Sequence, residues 1–347
     1  MTTAQYSTPA TSRDDLDVLL GRVEEELAAF LTGEQVRRAE PDVRGALPVQ
    51  AIAALAKAGG KRLRPAFCLT GYLAAGGPPA DEPVRAAVAL ELLHIAALIH
   101  DDVMDDADTR RGTPTVHSAH AQAHRHCRWR GEARRYGEAI AVLAGDLAWV
   151  YADRFMADLP ADVTREWFEL KAELVVGQSL DVRAAAEPAL DPVLARHIAI
   201  LKSGRYTIHR PLVLGATLAG RPDLAPAFET YGEALGEAFQ LRDDVIDAFG
   251  DGTASGKPAG LDFARQKMTL LVALATRHDE RARALAERGA FAELHGHIVT
   301  SGVRAIVEEH IDALVRTARE AIDDAPISAE WRAMLSRMAV KVAYRDS

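Results

Sequence analysis

Two short stretches of the sequence repeat the same spacing of aspartates. The first reads DDVMD and starts at Asp101, and the second reads DDVID and starts 142 residues later (243 − 101), at Asp243. Residues four apart lie on one face of a helix, so Asp105 shares a face with Asp101 and Asp247 shares one with Asp243. The candidate metal ligands are therefore Asp101, Asp102, Asp105, Asp243, Asp244 and Asp247.

Both clusters follow apolar, helix-forming sequence, which places them where a buried helix would end and a cavity would begin. Carboxylates this close repel one another, and the repulsion grows in a partly buried helix unless cations compensate it. Mg²⁺ binds carboxylate oxygens and usually completes its shell with water and substrate phosphates. An acidic, solvated helix end explains either cluster alone about as well, but two clusters with one spacing favour a magnesium site.

Cationic residues accompany the aspartates. Residues 59–65 read GGKRLRP, a Gly-Gly turn with three cations at the start of a helix. Cations are mildly unfavourable at a helix N-terminus, so this arrangement predicts an anionic ligand there. A single lysine or arginine is usually a solvated surface residue, and only the set as a whole indicates a phosphate site. The other cations near helix ends or loops are Arg110, Arg111, Lys202, Lys257 and Lys267.

The sequence lacks the common signatures of other chemistries. It contains no G-x-S-x-G, no P-loop and no dinucleotide-binding G-x-G-x-x-G after a strand. His94 lies two helical turns before Asp101, but taken alone it is most simply a hydrogen-bonded core histidine. What remains is acid clusters, cations and an apolar cavity, which together suit a substrate with a diphosphate head and a hydrocarbon tail.

Composition sets the broad class. The chain has 347 residues, 48% hydrophobic and 26% charged, which is typical of a globular protein with a large core. A net charge of −9 argues against a nucleic-acid partner. Two cysteines without a CxxC pattern fit a reducing cytoplasm. No signal peptide and no run long enough to span a bilayer is visible, so no integral membrane segment is predicted.

Helical periodicity dominates the chain, and strand signals are nearly absent. Among the predicted helices are those over residues 190–218 and 261–278. Residues 13–39 place apolar side chains at steps of three and four, and residues 82–106 are apolar on nearly all sides, which is typical of a buried central helix. No linker divides the chain. We therefore predict one large all-α bundle over residues 13–347 around a central apolar cavity, preceded by a disordered tail at 1–12.

Seven motifs, taken in order, resemble the trans-isoprenyl diphosphate synthase (polyprenyl synthetase) family, in the style of bacterial geranylgeranyl diphosphate synthases. The motifs are GGKRLRP at 59–65, ELLHIAALIHDDVMDDADTRRGTPTVH at 91–117, AGDLA at 144–148, GQSLD at 177–181, KSGRYT at 202–207, FQLRDDVID at 239–247 and GKPAGLDFARQKMT at 256–269. The resemblance implies an isoprenoid synthase fold, Mg²⁺ as cofactor, isopentenyl diphosphate and an allylic diphosphate as substrates, and a homodimer.

The resemblance also implies roles for individual residues. The first cluster would bind Mg²⁺ on the allylic diphosphate, and Asp243, supported by Asp244 and Asp247, would bind a further ion. The diphosphate of isopentenyl diphosphate would be held by Lys61, Arg64, His94 and Arg111. The allylic diphosphate would contact Arg110, Lys202, Lys257 and Lys267, with Ser203 and Gln240 lining the same site.

The growing hydrocarbon chain is expected to run below Asp101 along its helix. Ala96 and Ala97 lie one turn down, where related farnesyl synthases carry a bulky aromatic residue, and Leu93 and Leu90 come next as a possible lower stop. Two alanines leave room for a further isoprene unit, so we predict geranylgeranyl diphosphate as main product. The alternatives are a farnesyl or longer-chain synthase, a class I terpene cyclase, and a non-catalytic partner subunit.

Overall fold

The computed structural model describes residues 12–110, 112–187, 191–250, 260, 263 and 269–345. These residues form helices joined by short connections and one small hairpin, in which Thr109–Arg110 pairs antiparallel with Thr113–Pro114. The predicted all-α fold is confirmed.

The helices follow one another along the whole described chain. In the first half they are α1 (Ser12–Arg38), α2 (Leu47–Lys57), α3 (Leu63–Ala74), α4 (Asp81–Met104), α5 (Val116–His126), α6 (Ala133–Met156) and α7 (Ala161–Ala186). In the second half they are α8 (Pro192–Ala199), a π-helix (Ile200–His209), α9 (Arg210–Leu218), α10 (Ala225–Phe249), α11 (Leu270–His278), α12 (Glu280–Glu287), α13 (Phe291–Thr300), α14 (Val303–Asp323) and α15 (Ala329–Ala343). Short 3₁₀ turns lie at Val43–Ala46 and Pro222–Leu224.

Helix α4 is the central helix of the first half. Its first turn contains Asp81 and Glu82, whose negative charges interact favourably with the positive end of the helix dipole. The helix then continues as a mostly apolar run of Ala, Leu, Val and Ile. Contrary to the prediction that no run is long enough to span a bilayer, α4 passes that test by length and composition, but 72% of the stretch is buried within the protein. We interpret it as the core helix predicted from its composition, packed against α1, α3 and α6.

The second half is organised around α10, which packs on the π-helix and on α14. The π-helix approaches α10 at two glycines. A Cβ on Gly236 would stand 1.9 Å from the Cα of Gly204, so any side chain there would push the two helices apart. This close approach brings Lys202 and Ser203 of the π-helix beside Gln240 and Asp243 of α10.

Some predicted elements differ from the observed ones. Residues 190–218, predicted as one helix, contain α8, the π-helix and α9 in direct succession. The predicted tail at 1–12 lies outside the described residues except for Ser12, which begins α1. Much of the helix predicted over 261–278 also lies outside them, and its described part is α11.

Candidate active site

The first aspartate cluster occupies the last turn of α4. Asp101 lines a polar cavity of about 490 Å³, whose walls also carry Lys61, Arg64, Lys202 and Asp243. Carboxylates at the C-terminal end of a helix face the negative end of its dipole, so they require nearby cations. Burial raises the pKa of the Asp101 carboxyl; the charge of Lys202 opposes this and that of Asp105 adds to it. A cation bound beside Asp101 would therefore favour the ionised form of its carboxyl group.

Asp102 lies apart from the cavity. Its carboxylate is 3% exposed, and both of its oxygens accept hydrogen bonds from the Arg110 guanidinium, at 2.8 to 3.0 Å. Metal binding by Asp102 stays a prediction, and in this structure its carboxylate pairs with Arg110. Because α4 turns about 100° per residue, Asp102 points away from Asp101 and holds Arg110 at the edge of the polar cavity instead.

The second cluster occupies the last turns of α10, on the opposite wall of the polar cavity. Asp243 lines the cavity, and its carboxylate pairs with Arg345, the last described residue. The Arg345 guanidinium stacks 3.9 Å from the centroid of the Phe239 ring, and Arg242 fixes the same segment by donating 2.6 Å to the carbonyl of Ala343. The two acidic helix ends thus face one cavity, as their spacing predicted.

The carboxylate of Asp244 connects α10 to the start of α11. One of its oxygens accepts from the Gln240 amide at 2.8 Å, and the other accepts from the backbone N–H of Leu271 at 3.0 Å, at the start of α11. Asp244 is 3% exposed, and its predicted role in metal binding stays a prediction. Gln240 in turn accepts 2.6 Å from the Ser203 hydroxyl. These three hydrogen bonds join the π-helix, α10 and the start of α11.

Asp105 and Asp247 are half-buried one turn beyond Asp101 and Asp243 in their clusters. The backbone carbonyl of Asp247 accepts from the N–H of Gly260 at 2.8 Å. Metal binding by these two residues stays a prediction.

Lys202 links the two sides of the polar cavity. Its ammonium group lies 2.7 Å from Asp181 of α7 and 4.0 Å from Asp101 of α4. Burial acts to lower the pKa of Lys202, but Asp101 and Asp181 outweigh it and the pKa is raised. The side chain therefore stays charged and faces the space between the aspartates.

Lys61, Arg64 and His94 also line the polar cavity, and the diphosphate binding that the resemblance implies for them stays a prediction. The Arg64 guanidinium stacks 4.1 Å from the centroid of the Tyr206 ring. Among the described residues, the buried Nε atoms of Arg64 and Arg345 find no hydrogen-bond acceptor. An unpaired buried donor costs about 1–3 kcal/mol, so these two guanidinium groups are suited to an anion that enters the cavity.

An apolar cavity of about 690 Å³ adjoins the polar one. The two cavities share Ala97, Asp101 and Leu174, and the apolar cavity continues between α4, α6 and α7. Ala97 lines it as predicted. The remaining chain-length candidates, Ala96, Leu93 and Leu90, are fully buried and do not line it, because their side chains pack into the core of the bundle.

Three predicted cations lie outside the described residues: Arg111, Lys257 and Lys267. Their roles stay predictions.

The residues present fit a divalent ion held jointly by protein and substrate. The described residues contain no group of three His, Cys, Asp or Glu side chains able to hold an ion alone. Mg²⁺ typically uses one or two carboxylates together with water and substrate phosphates, and Asp101 and Asp243 offer carboxylates from opposite walls of one cavity. Hard oxygen ligands beside several cations suit a metal–diphosphate complex.

Sequence reasoning missed three residues of the site. Asp181, which pairs with Lys202, belongs to the quoted GQSLD motif, and that motif was the available signal because its Gln178 and Ser179 line the apolar cavity. Arg345 lies 102 residues beyond Asp243 (345 − 243), with no motif around it. Trp149 lines the apolar cavity from α6, although the argument from sequence followed α4 alone.

The fold and the site together define a helical protein that takes an anionic head and an apolar tail in adjoining cavities. Residues 47–293 match the polyprenyl synthetase family. The geranylgeranyl pyrophosphate synthase of Corynebacterium glutamicum, solved with isoprenyl diphosphate and magnesium, is 34% identical with a TM-score of 0.86, covering 95% of this chain and 99% of that one. This chain belongs to the polyprenyl synthetase family and is a trans-prenyltransferase.

Relatives differ in the length of the chain they make. A short chain isoprenyl diphosphate synthase of Methanothermobacter thermautotrophicus is 33% identical over 253 residues, 70% of this chain and 71% of that protein. Heptaprenyl diphosphate synthase component 2 of Geobacillus stearothermophilus is 29% identical over 348 residues, 95% of this chain and 99% of that protein.

Proposed function

We propose that this protein condenses an allylic diphosphate with isopentenyl diphosphate in the presence of Mg²⁺, with geranylgeranyl diphosphate as main product. The observation that carries the proposal is that Asp101 and Asp243 face one cation-lined cavity that opens into an apolar cavity below Asp101. The diphosphate heads bind in the polar cavity, and the growing tail lies in the apolar one.

The reaction begins when the allylic C–O bond breaks and leaves an allylic cation and free diphosphate. Negative charge grows on the leaving oxygens, so a fixed ammonium at Lys202 and the guanidinium of Arg110 stabilise the transition state more than the ground state. Mg²⁺, when bound, supplies further positive charge to the same oxygens. Lys61, Arg64 and His94 hold the second diphosphate and orient its isopentenyl group toward the cation.

The carbon–carbon bond forms when the double bond of isopentenyl diphosphate attacks the allylic cation. One proton then leaves the new chain and passes to the departed diphosphate, so no general base from the protein is required. The apolar walls near Ala97 and Leu174 offer water no hydrogen-bond partners, which disfavours hydrolysis of the cation. Lys61, Arg64 and His94 provide a second set of cationic and polar side chains for a second diphosphate. This supports a chain-elongating synthase over a terpene cyclase, which binds one diphosphate.

We expect purified protein to form longer prenyl diphosphates from radiolabelled isopentenyl diphosphate and farnesyl diphosphate only with Mg²⁺. Chelation with EDTA should abolish product, and excess Mg²⁺ should restore it, because Asp101 and Asp243 would hold the ion against the substrate diphosphate. Geranyl and dimethylallyl diphosphates serve as further starters, and chromatography sizes the products. Cyclised hydrocarbon as product would instead indicate a terpene cyclase, and the absence of product with every starter would support a non-catalytic subunit.

We further propose that the protein is a homodimer joined through α6 and α7. Both helices expose large apolar side chains at seven-residue spacing, which places them on one face of each helix. They are Leu143 and Val150 on α6, and Phe168, Val175 and Val182 on α7. A stripe of this kind is typical of a protein interface. Val150, Val175 and Val182 also line the apolar cavity, so a second copy would close its open side.

Placing a charge on this stripe is expected to give monomers. In Leu143→Asp and Phe168→Asp, a carboxylate replaces a side chain that is 58% or 57% exposed in the single chain and would be buried between two copies. Analytical ultracentrifugation of each variant measures the mass in solution. Val18→Asp on α1, where the valine is 61% exposed, is the matched control and should stay dimeric. Wild-type protein that sediments as a monomer would contradict the dimer.

A further inference from the structure

Helix α6 faces α4 across the apolar cavity and lines it with Asp146, Trp149 and Val150. The two helices run antiparallel: the His100 ring near the end of α4 lies 3.2 Å from the Val142 carbonyl of α6, and Arg85 near the start of α4 pairs at 3.0 Å with Asp158, just beyond the end of α6. His100 packs directly on Gly145, where an added Cβ would stand 2.2 Å from its Nε2. Four residues further along α6 is one helical turn, about 6 Å, so Trp149 lies level with Ala97 and one turn below the carboxylate of Asp101.

Trp149 lines the apolar cavity, and its ring is contacted by Lys171, which does not line the cavity. The ammonium of Lys171 lies 5.1 Å from the centroid of its ring, within the range of a cation–π contact. Lys171 in turn pairs with Asp153 at 2.6 Å, and Trp167 donates 2.7 Å to the same carboxylate. The indole therefore lies against an ion pair in which Lys171 is largely buried and Asp153 is partly exposed.

This arrangement makes a floor of two layers. The first is the flat indole, which a hydrocarbon tail meets one turn below the diphosphate site. The second is the Lys171–Asp153 pair, in which the lysine side chain is 11% exposed and the aspartate side chain is 42% exposed. A hydrocarbon chain that passed the indole would remove water and partners from this pair, and burying charge without compensation is costly. Leu93 and Leu90 of α4 do not reach the cavity, so they are not this floor.

We propose that Trp149 determines the product length of this enzyme by closing the lower end of the apolar cavity. The proposal rests on the prenyl elongation described above. It assigns chain-length selection to a side chain of α6, opposite Ala97 of α4. The space between the two positions sets how many isoprene units fit before elongation stops.

Trp149→Ala is expected to lengthen the main product by at least one isoprene unit, because an indole occupies more space than one such unit and its removal leaves a cavity. Trp149→Leu should lengthen it less, and Trp149→Phe should keep the wild-type product. Ala97→Phe narrows the cavity from the opposite wall and should shift the product to farnesyl diphosphate. Products from isopentenyl diphosphate, Mg²⁺ and each starter are sized by mass spectrometry.

The controls separate this inference from the proposed function. Trp129→Ala removes an indole that is 49% exposed and outside both cavities, and it should leave product length unchanged. A merely structural role for Trp149 would lower total turnover without moving the product distribution. Wild-type product length in an active Trp149→Ala enzyme, or in Trp149→Leu if the alanine variant does not fold, overturns the inference. Wild-type protein that makes no prenyl diphosphate overturns the proposed function instead.

Discussion

Asp101→Asn and Asp243→Asn are each expected to lower turnover by about a thousandfold or more, and the double variant is expected to be inactive. Each substitution removes one carboxylate from the pair that faces the polar cavity. The departing diphosphate then loses several kcal/mol of stabilisation from the bound ion, and about 4 kcal/mol corresponds to a thousandfold in rate. Initial rates measured over a wide range of Mg²⁺ concentrations test this.

Stability and activity should separate in Asp101→Asn. Burial raises the pKa of the Asp101 carboxyl above that of an unfolded chain, so its ionised form costs folding free energy at neutral pH. Asparagine removes that cost, and the melting temperature should stay equal or rise while turnover is lost. Asp106→Asn is the matched control, because Asp106 is 72% exposed and pairs with Arg134 outside the cavity. Near-normal turnover in the Asp101→Asn, Asp243→Asn double variant would refute the site.

Lys202→Met is the second substitution with a large expected effect, a loss of about a hundredfold to a thousandfold in kcat/KM for the allylic substrate. The ammonium lies between Asp181 and Asp101, where the leaving diphosphate would meet it. Its removal leaves two half-buried carboxylates without this partner, so the melting temperature should fall as well. Lys202→Arg should recover part of the activity, since it keeps the charge but not the compact geometry.

A double variant distinguishes the catalytic charge from its structural effect. Adding Asp181→Asn to Lys202→Met removes one of the carboxylates left without a cation, so stability should return while turnover stays low. Arg205→Met is the control on the same π-helix: its guanidinium pairs with Glu173 and Glu233, outside both cavities. This variant should lose stability but keep kcat. Full turnover in Lys202→Met would show that the ammonium does not act on the leaving group.

Helix periodicity made part of the site predictable from sequence. The repeated DDxxD spacing fixed which aspartates share a helix face, and both clusters do end helices at one cavity. It did not reveal that Asp102 turns to Arg110 and that Asp244 turns to the backbone of Leu271, because those partners come from other elements. A carboxylate one residue after a cavity-lining aspartate points about 100° away from the cavity. It therefore bonds to whatever the neighbouring element offers, here Arg110 or the backbone of Leu271.

By itself the sequence determined the all-α class, the two acidic helix ends and the cations of the GGKRLRP turn, since these depend on local pattern. Tertiary structure alone decided what completes the site. Arg345 reaches Asp243 because Arg242 ties the end of α15 to α10. Trp149 lines the apolar cavity opposite Ala97, and Gly145 lets α6 approach α4 closely at His100. Periodicity fixes the direction of a side chain within one helix, whereas only the packing of helices distant in sequence fixes what it meets.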